Sequence, residues 1–126
     1  MRTWLVAAIV SGAPSTAHAL ATGRDPLEAT RAAGAIVVGE DAPPLAQVAA
    51  AVPVHLAVSF FWGGVLERAL PRRHGAAWGA VAGLAIAAFD LGVIGRRFPA
   101  VRRLPVGPQL ADHALFGAVI GGRREW

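Results

Sequence analysis

WLVAAIVSGAPSTAHAL, residues 4–20, admits two readings, and the fold depends on which holds. Arg2, the apolar run Trp4–Val10 and the small-residue box Ala17-His18-Ala19 supply the basic start, apolar core and cleavage site of an export signal. The same stretch also reads as a membrane helix that stays. Ser11, Ser15, His18 and Thr22 fall at i, i+4, i+7 and i+11, on one side of a single helix, while Leu5, Val6, Ile9 and Val10 give bulk for lipid. A segment destined for removal has no need of a polar stripe. A retained span is therefore the expectation, with a cleaved leader as the alternative.

Composition points the same way. Of 126 residues, 55% are hydrophobic and 16% charged, against roughly 45–50% and 25% in soluble domains. Mean hydropathy is +0.49. Much of the apolar content is Ala and Gly, which lets helix backbones approach closely. The absence of Cys excludes disulfides, thiolate metal sites and Cys nucleophiles. The net charge of +4 comes from Arg alone, clustered at the ends of apolar runs rather than along a basic helix face. That pattern anchors helices at a membrane surface and gives no reason to expect nucleic acid as a partner.

Four apolar segments follow one another: about 4–21, 45–70, 76–95 and 109–122. A spanning helix needs roughly 20 residues, so the first three qualify and the fourth is short. It must sit in thinned bilayer, stop partway, or recruit LPVGP (104–108). Between the first two segments, Asp25, Pro26 and Glu28 form a helix start, and Gly39 marks a stop. The resulting short helix, about 25–38, pairs Glu28 with Arg31 and reads as interfacial or re-entrant. Pro53 is tolerated as a kink. RRFPAVRRLPVGP (96–108), with its prolines and paired arginines, reads as a loop. The expected fold is all-α: one membrane domain over residues 1–126, an integral four-helix bundle with one short helix between its first and second spans.

VSGAPSTAHAL (10–20), DPLEATRAAG (25–34) and DHALFGAVIG (112–121) resemble stretches of the small uncharacterised multi-pass membrane proteins of high-GC actinobacteria. The resemblance covers most of the chain. It implies an integral protein that keeps its first segment, and it transfers no activity and no functional residue.

Two constellations stand out. Gly75, Gly79 and Gly83 recur every four residues, continued by Ala87, and Gly117 and Gly121, with Gly64 on the second segment, offer matching grooves. They suit packing inside the chain, which is the expectation, or self-association into a homo-oligomer or larger membrane complex. Every proposed span also carries an ionisable group: His18, His55, Asp90, Asp112 and His113. Such groups are costly in hydrocarbon and belong on interior faces. With helices alternating in direction, His18, Asp90, Asp112 and His113 share a layer near one face, and His55 lies deeper. The layer serves either hydrogen bonding between helices, with Asp90 paired to Arg96 or Arg97, or a proton or solute path. No metal is expected: short-range ligand spacing is missing, and adjacent Asp112 and His113 point about 100° apart on a helix.

No nucleophile elbow, phosphate-binding loop or dinucleotide fingerprint occurs, so neither catalytic residues nor a cofactor are expected. Glu67 and Arg68 read as a solvated helix end with Arg72 and Arg73, and the tryptophans as headgroup anchors. The twelve arginines divide six and six between the two faces, so charge bias leaves orientation open. The termini are placed inside because acids offset Arg24 and Arg31. The expectation is a non-enzymatic protein of the cell (cytoplasmic) membrane, with the lipid bilayer as its partner, serving as a scaffold or partner subunit. A small channel or transporter built on the His/Asp layer is the alternative.

Overall fold

The computed structural model describes residues 2–125, and every element among them is helical. The first apolar segment is two helices, α1 (Thr3–Val10) and α2 (Ala13–Thr22), not the single helix its polar stripe suggests. The cause is Pro14, which has no N–H to donate and whose ring crowds the carbonyl four residues back. The chain turns at Ser11 and Gly12 and resumes in the same general course, so Thr3–Thr22 still has the length and apolarity of a span.

α3 occupies Glu28–Val38, beginning three residues later than Asp25 would set it. Asp25 closes a turn instead: its Oδ1 accepts the Leu27 N–H at 2.9 Å and its Oδ2 faces Arg31 Nη1 at 2.9 Å. These contacts, the Leu27 N–H foremost, hold the Asp25 carboxyl below the usual carboxylate range. Glu28 therefore pairs with Arg24 rather than Arg31. α4 runs unbroken from Pro44 to Ala69 with Pro53 inside it. α3 lies against α4 so closely that a Cβ at Gly34 would overlap the Gln47 carbonyl.

α5 (Gly75–Phe89) continues through a π-helical turn, Asp90–Ile94, and a 3₁₀ turn, Gly95–Arg97. The stretch expected as an open loop contains this 3₁₀ turn, the one-turn helix α6 (Pro99–Arg102) and the start of α7 (Val106–Arg124). The prolines permit it because Pro99 sits at a helix start and Pro105 and Pro108 precede or occupy the first turn of α7, where N–H groups lack helical partners anyway. At 1.5 Å per residue, α7 reaches roughly 28 Å, not the shorter reach of residues 109–122.

α7 is the central helix, packed against α1, α2, α4 and α5. Its core contacts join Ala7, Leu66, Leu70, Ile86, Phe116 and Ile120. With α5 it packs backbone to backbone. A Cβ on Gly79 would overlap the Gly117 carbonyl, one on Gly117 the Gly79 carbonyl, and Gly75 and Gly121 stand in the same relation. The glycine hydrogens there point at facing carbonyls, weak bonds worth about 0.5–1 kcal/mol each. The glycine row is thus occupied within the chain. Gly64 takes no part; its neighbour Gly63 receives Trp4 instead.

Three helices, Thr3–Thr22, Pro44–Ala69 and Gly75–Arg97, are long and apolar enough to cross a membrane. Their side chains are distributed opposite to a soluble protein's. Beside Leu66, Leu70 and Ile86, much of their buried surface is small, with Ala7, Ala8, Ala19, Ala51 and Ala87 all buried, while Leu45 is 80% exposed, Ile9 67% and Phe61 60%. Without water to drive apolar groups inward, contact between helices rests on close packing of small residues and the bulk turns outward. α7 falls outside that set of three because it carries Gln109, Asp112 and His113 among its apolar residues.

Candidate functional site

Few helices here are capped by their own flanking residues; carboxylates arrive from elsewhere. α2 is the clearest case. Thr16 N–H reaches Gly12 O, Pro14 has no N–H, and Ser15 N–H donates to Asp112 Oδ1 of α7 at 2.8 Å. Glu125, just past α7, accepts the Ala76 N–H at the start of α5 at 3.1 Å, and Glu40 accepts the Ala100 N–H at the start of α6. A carboxylate at a helix N-terminus satisfies a free donor and the positive end of the helix dipole together. Here the same contact also docks one helix on another.

The Asp112 contact lies in the polar layer, about 10 Å from the face bearing the 22–44 and 96–108 loops by helical rise. Beside it, His113 Nε2 lies 3.1 Å from Asp90 Oδ2, at the start of the π-helical turn, and His113 Nδ1 lies 2.8 Å from Gln109 O. The Gln109 carbonyl only accepts, so Nδ1 carries a proton and donates. Nε2 then meets a carboxyl group across one hydrogen bond, which holds a proton in either form: imidazolium with carboxylate, or imidazole with carboxylic acid. Asp90 thus pairs with His113, not with Arg96 or Arg97, which stand exposed at the face.

His55 belongs to the break in the first segment. Its Nε2 donates to Ala8 O at 2.8 Å, and Ser11 Oγ also reaches that carbonyl. The turn at Ser11 and Gly12 leaves Ala8 O in need of partners, and α4 provides one from eleven residues into its length. The fifth expected member stands apart: among the described residues, no hydrogen bond or ion pair joins the His18 ring to the others, while its backbone carbonyl accepts from the Thr22 hydroxyl.

Asp112 and His113 diverge, one toward α2 and the other toward Asp90, and no group of three or more potential metal ligands converges among the described residues. The layer can hold helices in register and bind a proton between His113 and Asp90.

A second polar assembly was not foreseen. Gln47 is buried, accepts from Arg31 Nε at 3.3 Å and donates to Gly39 O and Glu40 O at 3.2 and 3.1 Å. Glu40 also pairs with Arg103. Together they tie the α3–α4 connection to the α6 region beside a cleft of about 260 Å³. The lone amide in the apolar run after Pro44 was the signal available in the sequence, since a buried amide needs several partners.

No protein family, curated protein or solved structure matches this chain. The fold therefore defines its class unaided: an all-helical protein with three helices able to cross a membrane.

Proposed function

We propose that this chain is a multi-pass protein of the cell membrane, with α1–α2, α4, α5 and α7 as four spans forming a bundle and α3 at the interface. On this reading the first segment stays with the chain, as its resemblance to small actinobacterial membrane proteins also implies. Its role is non-enzymatic, as a scaffold or partner subunit in that membrane. The observation that carries this is the engagement of the polar layer. Ser15 with Asp112, His113 with Asp90 and Gln109, and His55 with Ala8 are bonded within the chain, and the outward surface is large apolar side chains. Groups so bonded hold helices together, and the outer surface suits lipid and other membrane helices.

The proton held between His113 and Asp90 favours a second reading, a small proton-coupled channel or transporter. Proton flux in liposomes separates the two. Under the scaffold reading, wild-type liposomes leak protons no faster than empty ones, and Asp90→Asn and His113→Ala lower stability in detergent. A wild-type flux abolished by Asp90→Asn would replace it with the transport reading.

A further inference from the structure

We propose that the cleft framed by the start of α1 and the ends of α4 and α7 binds a phosphate group, carried by an anionic lipid headgroup or free in solution. This cleft, of about 430 Å³, is lined by Thr3, Glu67, Arg68, Ile120, Arg123 and Arg124, and its volume is within the roughly 300–1,000 Å³ of small-molecule pockets. It opens at the face opposite the polar layer, where helices long enough to span would meet the headgroups.

Arginines in the last turns of α4 and α7 would be expected from helix dipoles and membrane anchoring alone. Three features go further. The arginines converge on one concavity from two helices. Glu67, the carboxylate on its wall, forms no ion pair with Arg68 or Arg124 among the described residues, so the cleft keeps an excess of positive charge. Arg124 Nε is shielded from solvent and has no hydrogen-bond partner among the described residues. A shielded donor left without an acceptor is unfavourable, and a phosphate oxygen is the acceptor that a guanidinium fits best. Ile120, wholly buried, packs beneath the cleft and holds the ends of the surrounding helices in place.

Native mass spectrometry of the purified full chain in mild detergent tests this, with phosphatidylglycerol, phosphatidylcholine or inorganic phosphate added separately. Wild type is expected to retain phosphatidylglycerol over phosphatidylcholine, and Arg68→Gln with Arg124→Gln to lower that retention about tenfold. Arg96→Gln with Arg97→Gln, an equal loss of charge on the other face, should leave it unchanged. Retention of inorganic phosphate with the same dependence on Arg68 and Arg124 would assign the site to free phosphate and uphold the cleft. Equal retention of the two lipids by wild type, with no phosphate bound, would overturn the proposal without requiring any variant to fold. So would equal losses in the two double variants.

Discussion

Replacing Gly79 with leucine is expected to separate α5 from α7 and lower stability by more than about 3 kcal/mol, measured by thermal or denaturant unfolding in detergent. The obstacle is the Gly117 carbonyl, a backbone group that cannot rotate aside without moving its helix. Gly79→Ala is expected to destabilise as well. On propensity alone, alanine gains about 1 kcal/mol over glycine within a helix. Here its methyl group would overlap Gly117 O, and the overlap outweighs that gain. Gly107→Ala provides the opposite sign. It lies in the first turn of α7 with nothing within 4 Å of an added Cβ, so it should be neutral or stabilising by up to about 1 kcal/mol. Equal effects at Gly79 and Gly107 would mean that the glycine row is a by-product of composition.

Asp112→Ala should have the next largest effect, a loss of about 1–3 kcal/mol. It removes the acceptor for Ser15 N–H, and in a membrane no water replaces it. The contact joins α7 to the segment that the chain interrupts at Ser11 and Gly12, so its loss should loosen α2 in particular. Asp112→Asn keeps an oxygen in place and should recover part of the loss. If asparagine proved as damaging as alanine, charge against the α2 dipole would be the dominant contribution rather than the hydrogen bond.

The all-helical class and the three long apolar helices were legible in the sequence because each is a local pattern with helical period. Pairings were legible only in part. Gly117 and Gly121, but not Gly64, receive the α5 row, while Asp90 finds His113 rather than the nearer arginines. Both outcomes depend on α7 being central, which no local period encodes. The remote carboxylate caps escaped for the same reason: Glu40, Asp112 and Glu125 act across 60, 97 and 49 positions of chain. Other differences are local: Pro14 breaks the first apolar run, and the prolines at 99, 105 and 108 stand at helix starts that accommodate them. His18 lies on the polar stripe one turn beyond Ser15, and Asp112 bonds Ser15 instead.

Within the account, α1 and α2 form a permanent wall of the structure. Ala7, Ala8, Ser11 and Ala19 are buried against neighbouring helices, His55 binds Ala8, and Asp112 caps α2. The intact mass of protein extracted from membranes tests this most directly. The account predicts a chain that still carries residues Thr3–Ala19, and a mature chain beginning at Leu20 would contradict it.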